Sequence, residues 1–225
     1  MTIQQNFEDR DKVKITASES GSGFYRRYGK RIFDVALALV LLPFLLPIIT
    51  ILALFIKVDG GPTMFGHKRV GQGGREFKCW KLRSMCINAD TALVRYLRQN
   101  PEAEREWRET YKLTNDPRIT RIGGFIRKTS LDELPQIFNV LAGEMSFVGP
   151  RPVIEGELIK YGSKRCYYET GRPGVTGAWQ IGGRNDVTYA ERVEMDVEYR
   201  RNENFFTDLK IILFTPLAII TPTGK

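Results

Sequence analysis

The sequence predicts an α+β protein: a mainly helical globular domain carrying one small β-hairpin, joined to an N-terminal helix that enters a membrane. Three observations predict it. Ile32 to Ile56 is a 25-residue apolar block holding a single charge, Asp34. Two short runs, Met64–Val70 and Glu76–Leu82, flank the turn-prone stretch Gly71-Gln72-Gly73-Gly74. Beyond them lie capped helical segments separated by loops rich in glycine, proline and arginine.

The chain is expected to divide into a polar, disordered tail over residues 1–23, a membrane segment over 24–58 and a globular domain over 59–225. The apolar block starts too late and runs too long for a cleavable signal peptide. At about 20 residues per crossing it is long enough to span. Pro43 and Pro47, however, each remove a backbone donor in its middle. Cations also flank both ends: Arg26, Arg27, Lys30 and Arg31 before it, Lys57, Lys68, Arg69 and Arg75 after it. The tendency of Lys and Arg to stay cytoplasmic is then satisfied on both sides only if the helix turns back. A re-entrant helix is therefore preferred over a true span or a buried core helix. A second apolar run, Leu209 to Ile220, holds Lys210 and Pro216 and is too short to cross. It reads as an amphipathic helix on the interface or as a core helix.

In the globular part, Asn100-Pro101-Glu102 has the form of a helix start, and that helix is expected to run to about Leu113. The stretch Ser130-Leu131-Asp132-Glu133-Leu134-Pro135 opens another. Either Ser130 caps it, in a box with Glu133, or Asp132 caps it and Pro135 falls in the first turn. In both registers the acids lie at a helix N-terminus, whose dipole favours their ionised form. Pro150 and Pro152 bracket Arg151 and would aim its guanidinium at low entropy cost toward a phosphate or carboxylate. The segments Arg172-Pro173-Gly174 and Gly182-Gly183-Arg184-Asn185 repeat the theme.

Composition narrows the chemistry. The net charge of +8, from 34 basic and 26 acidic residues, implies anionic partners: nucleic acid, phospholipid or phosphorylated substrate. No zinc-finger or RNA-recognition signature occurs, so nucleic acid is not an expected partner. Three cysteines without a C-x-x-C read as reduced, buried thiols. A single histidine, His67, makes a His-centred triad improbable and leaves carboxylates as the reacting groups. The glycines near His67 form neither a dinucleotide fingerprint nor a P-loop. The one Asp-x-Asp, Asp9-Arg10-Asp11, lies in the tail, which disfavours a glycosyltransferase of that type.

Several motifs in unbroken order over roughly residues 28 to 215 resemble the bacterial sugar transferases, the monotopic phosphoglycosyl transferases. They are Asp59-Gly60-Gly61-Pro62, Lys81-Leu82-Arg83-Ser84-Met85, Thr129 through Gln136, Met145 through Pro152, and Arg172 through Gly177. Trp179-Gln180 followed by Gly182 through Asp186 looks most like members that start exopolysaccharide synthesis with galactose or glucose phosphate. Many members have a Ser-Pro pair at the membrane break, where Leu42-Pro43 and Leu46-Pro47 stand here. Many also carry transmembrane helices ahead of the catalytic part, which the residues before Phe24 are too polar to supply.

The resemblance implies that residues 59–225 are catalytic, on the cytoplasmic face of the inner membrane. Asp132 would attack the β-phosphate of a UDP-sugar, release UMP and carry the phosphosugar until undecaprenyl phosphate accepts it. Glu133 would be its partner, as a Mg²⁺ ligand shared with Asp132 or as a base. Arg127, Arg151 and Lys81 would bind phosphate, while Arg83, Asp196, Gln180 and Arg184 would line the site. Membrane lipids are expected partners, and a homodimer is left open. A carboxylate approaching a diphosphate meets about 4 kcal/mol of repulsion per charge pair at about 4 Å and an effective dielectric of about 20. The cations and Mg²⁺ would cancel it.

Overall fold

A computed structural model describes residues 22–182 and 187–220. The expected tail lies outside the described residues except for Ser22 and Gly23, which belong to the helical entry Ser22–Phe24. Arg184 also lies outside them.

A π-helical turn, Tyr25–Gly29, leads into α1, Lys30–Lys57. Pro43 and Pro47 do not end α1; the helix runs unbroken through both, each removing one backbone bond. Asp34, Ala38, Ile49, Leu52 and Ile56 form its buried stripe. Leu39, Val40, Phe44, Ile48, Ile51 and Phe55 are exposed. Such spacing puts one apolar face on the protein and leaves another uncovered.

Both ends of α1 are bound to the globular part. Arg31 donates to the carbonyls of Val140 (2.6 Å) and Leu141 (2.8 Å). Lys30 is buried and bonds Asp208 at 2.5 Å and the Tyr199 hydroxyl at 2.9 Å. At the far end Arg83 donates to the Ile56 carbonyl at 3.1 Å and pairs with Asp59. The flanking cations that read as a topology signal thus also fasten the helix to the domain.

The hairpin has the expected limits. β1 (Met64–Val70) pairs antiparallel with β2 (Glu76–Leu82), from Met64 opposite Leu82 to Val70 opposite Glu76. Gly73 and Gly74 have φ of 68° and 74°, which a turn at this point requires of glycine. Next come α2 (Ala89–Gln99), α3 (Pro101–Thr110) and α4 (Arg121–Lys128). α3 starts where Asn100-Pro101 placed it but ends three residues early, with Tyr111 left-handed at φ 53°. Thr120 caps α4 by accepting from the Gly123 amide at 2.9 Å.

The Ser130 segment follows neither expected register. Ser130 is left-handed at φ 57° and its side chain caps nothing. Leu131–Glu133 is a 3-10 turn, and α5 begins only after Pro135, at Gln136–Ala142. A proline is tolerated at a helix start because its missing N–H would have no partner there, and this one fixes the start later than either capping residue would. Ile137 and Val140 still face the core, with Phe138 and Leu141 packed against it. Asn139 ties α5 to β2, accepting from the Trp80 amide at 3.0 Å and donating to the Lys78 carbonyl at 2.7 Å.

A second, parallel pair joins β3 (Ser146–Val148) to β4 (Gly174–Thr176). Its backbones approach so closely that a Cβ on Gly174 would lie 2.1 Å from the Gly149 nitrogen. Glycine is needed there for space. Between these strands run α6 (Glu155–Leu158), a 3-10 segment Ile159–Lys164 and α7 (Arg165–Glu169). The chain continues through α8 (Ala178–Gly182), α9 (Tyr189–Arg201) and α10 (Phe205–Ile220). One core cluster gathers α1, the hairpin, α4 and α5. A second centres on Val153, Leu158, Tyr161, Tyr168, Val193 and Val197.

Candidate active site

A cavity of about 690 Å³ opens where these elements meet. That volume is in the range of small-molecule sites. Side chains alternate across a strand, so Cys79 and Lys81 share one face of β2, and Arg69 lies on the same face of β1. Arg127 comes from α4, Glu133 from the 3-10 turn and Arg151 from the loop after β3. These give the cavity a lining rich in cations. Leu45 of α1, Phe147 of β3 and Ile212, Thr215 and Pro216 of α10 add a predominantly apolar part of the lining.

Several neighbours fix the cations. The Arg127 Nε donates to Ser84 Oγ at 2.8 Å. Lys81 Nζ donates to Glu133 Oε1 at 2.5 Å and stands 4.0 Å from Asp132 Oδ2. Arg151 is held between its two prolines, and its guanidinium carbon lies 5.9 Å from the Trp179 ring centre. Arg192 approaches that ring at 4.6 Å. A guanidinium over an indole face is attracted by the ring quadrupole.

The paired acids differ in surroundings. Glu133 belongs to the cavity wall; Asp132, whose side chain is 13% exposed, does not. With three residues per turn, successive side chains of a 3-10 turn leave it about 120° apart, yet both carboxylates reach Lys81 Nζ, Asp132 at 4.0 Å and Glu133 at 2.5 Å. Burial pushes the Asp132 carboxyl above its ordinary 3.8, and Glu133 pushes it further, against the lowering by Lys81 and Arg127. The sequence reading expected a helix dipole to favour the ionised form. The turn has no such dipole, and burial works the other way.

Lys81, Arg127, Glu133, Arg151 and Gln180 are thus brought around one cavity. Arg83 and Asp196 are not. Arg83 clamps the end of α1 through Asp59 and the Pro62 and Ile56 carbonyls. Asp196 is on the buried side of α9, 3% exposed, where its Oδ2 accepts from the Tyr161 hydroxyl at 2.7 Å. Its carboxyl is pushed by burial up to about 7. Sequence reasoning overlooked Arg69 and Trp179 as wall residues. The period-two signal from Lys81 across the hairpin register could have found Arg69. Left-handed Ser130, two residues before Asp132, is the kind of backbone strain that gathers at functional sites.

No group of three metal-ligating side chains occurs among the described residues. The adjacent carboxylates of Asp132 and Glu133 are a donor set that suits Mg²⁺, which is bound through one or two carboxylates together with substrate phosphates and water.

Compared with known proteins, residues 25–222 match the family described as Bacterial sugar transferase. The chain belongs to that family. Both α1 and α10 lie inside the matched region, so the apolar wall of the cavity is part of the sugar transferase unit. A UDP-galactose-lipid carrier transferase of Erwinia amylovora is 53% identical over 198 residues, covering 88% of this chain and 42% of that protein. The exopolysaccharide production protein ExoY of Rhizobium meliloti is 48% identical over 197 residues, covering 87% of each. An undecaprenyl-phosphate galactose phosphotransferase of Salmonella typhimurium is 46% identical, covering 88% of this chain and 42% of that protein. The chain therefore spans about two fifths of the length of two of these relatives.

Proposed function

We propose that this sugar transferase moves a hexose 1-phosphate, galactose or glucose, from a UDP-sugar to undecaprenyl phosphate, as the first step of exopolysaccharide repeat-unit synthesis. The observation that carries this reading is the mixed lining of the cavity: cations and a carboxylate together with apolar side chains from α1 and α10. One substrate then carries phosphates and the other a phosphate on a lipid. The names of the Erwinia and Salmonella relatives agree with such a pair.

In the first half-reaction an Asp132 oxygen forms a bond to the β-phosphorus, and the bond to the bridging oxygen breaks. UMP leaves with that oxygen's electron pair, and an aspartyl phosphosugar remains. A phosphate oxygen of the acceptor then attacks the same phosphorus, the aspartyl–phosphorus bond breaks, and the carboxylate is regenerated. Burial makes Asp132 a stronger base than an exposed aspartate, and a stronger base is a better nucleophile once ionised. Its Oδ2 stands 4.0 Å from the Nζ of Lys81, a side chain of the cavity wall. Arg69, Arg127 and Arg151 hold the diphosphate and offset the repulsion. When bound, Mg²⁺ would add charge neutralisation on the phosphates, held by Glu133 and Asp132.

A monotopic arrangement on the cytoplasmic face is part of the same proposal. Both ends of α1 are fastened to one globular domain, through Arg31 and Lys30 at one end and Arg83 at the other. A true span would put about 30 Å of hydrocarbon between those ends. The test is product identity: UDP-galactose or UDP-glucose with undecaprenyl phosphate should yield UMP and a lipid-linked hexose diphosphate. Release of UDP, or no nucleotide release with any UDP-sugar, would refute it.

A further inference from the structure

α1 and α10 both contribute apolar side chains to the cavity wall, and both helices are weakened where they form that wall. Leu45 lies between Pro43 and Pro47, which leave the carbonyls of Leu39 and Pro43 without their helical partners. On α10, Pro216 does the same to the carbonyl of Ile212, and both residues line the cavity. Thr215 donates its hydroxyl to the Ile211 carbonyl at 2.7 Å and accepts from Thr176 at 2.8 Å. Its polar atom is thereby satisfied within the wall. Missing backbone bonds lower the cost of bending a helix locally.

Outside this wall the two helices expose apolar side chains to whatever surrounds them. Phe44, Leu46 and Ile48 of α1 and Leu213, Phe214 and Leu217 of α10 are all exposed. Phe33 and Phe205 pack edge to face at 5.4 Å and join the two helices at one side. Both helices thus carry apolar side chains on the surface and at the cavity, whose lining also holds Lys81, Arg127 and Arg151.

From this we infer that the isoprenoid chain of the acceptor passes between α1 and α10, over Leu45, Ile212 and Pro216, and that the two proline-broken helices form its gate. The inference rests on the proposed acceptor chemistry and adds the route by which that acceptor is held. A long apolar chain bearing a phosphate at one end matches that lining in both respects: apolar contact along the helices and cations for its phosphate. α10 is then a wall of the acceptor site and more than an anchor.

Two measurements test it. First, a photoreactive amino acid at Ile212 or Leu45, in the full-length protein in bilayers, should capture radiolabelled polyprenyl phosphate. The same probe at Leu54 should capture bulk phospholipid only. Leu54 is nine residues from Leu45, half a turn out of phase and about 13 Å along the helix. Second, Ile212→Trp, with Leu45→Trp approaching from the other helix, should narrow the gate. Transfer to an acceptor of full isoprenoid length should fall about tenfold or more, the scale of an overpacked contact. Transfer to a two-isoprene phosphate should fall less, so that the ratio of long- to short-acceptor turnover drops several-fold whatever loss the two share; exchange of labelled UMP into UDP-sugar, which reports the first half-reaction alone, is read on the unmodified protein. Equal losses for long and short acceptors with both variants, or capture at Leu54 as efficient as at Ile212, would overturn the gate. Capture at Ile212 and Leu45 without UMP exchange in the unmodified protein would uphold the gate and refute the phosphosugar mechanism instead.

Discussion

Asp196→Asn should make the protein more stable at alkaline pH. Asp196 is 3% exposed, and burial pushes its carboxyl from 3.8 up to about 7, against the lowering by the Tyr161 hydroxyl and by Arg200. A folded-state pKa above the unfolded value means that folding favours the protonated form. Stability contributed by that proton is fully present below pH 3.8 and is lost as the pH rises through about 7. At about 1.4 kcal/mol per tenfold change in proton affinity, the ionised form costs about 4 kcal/mol at pH 8. Asparagine removes that charge and can still accept from Tyr161, but buries an amide N–H₂ at a cost of about 1–3 kcal/mol. The net gain at pH 8 is about 2 kcal/mol, or about 5 °C in Tm for a chain of this size. Thermal unfolding of both proteins in the same detergent, from pH 4 to pH 8.5, reads it directly. The advantage of the variant should shrink as the pH falls and vanish or reverse below pH 5. A variant less stable than the native protein at pH 8 would show that Asp196 is held ionised by a partner, and burial would not be its governing influence.

Other perturbations bear on the site. Lys81→Ala removes a charge-assisted bond to Glu133 and a cation 4.0 Å from Asp132, so kcat/KM should drop about 10- to 100-fold. The acid limb of its pH–rate profile should move to higher pH, since Lys81 lowers the Asp132 pKa; Lys81→Arg should restore part of both, and an unmoved limb would refute that coupling. Chelation with EDTA should abolish transfer and Mg²⁺ should restore it; sustained turnover in chelator would leave neutralisation to the arginines. Cysteines introduced at residue 20 and at residue 160 should both resist a membrane-impermeant thiol reagent in intact cells. Labelling at residue 20 would mean that α1 spans.

What could be read from the sequence follows the reach of each physical signal. The hairpin was legible to the residue, because alternation over Met64–Val70 and Glu76–Leu82 and the glycine turn between them are local effects. The start of α3 was legible for the same reason, since Asn100-Pro101 acts within one turn. The helix at the acids was misread because two caps competed locally and Pro135 overrode both. Asp196 and Arg83 carried motif positions but not locations. Only tertiary packing sets one beneath Tyr161 and the other against α1. The parallel pair of β3 and β4 was not legible, since three-residue strands far apart in the chain leave no periodicity to detect. Arg69 read as part of a basic flank; its place at the cavity needs the cross-strand register to be known.

The most direct test of the central claim is the intact mass of the purified protein after incubation with UDP-sugar in the absence of acceptor. The protein should gain the mass of one hexose phosphate, mapped to the peptide containing Asp132, and lose it when polyprenyl phosphate is added. Asp132→Asn should show neither the adduct nor measurable turnover while keeping the fold, and Glu133→Gln should keep the adduct site even if it forms slowly. Turnover without any adduct in rapid-quench samples, or an adduct that persists in Asp132→Asn, would contradict nucleophilic attack by Asp132.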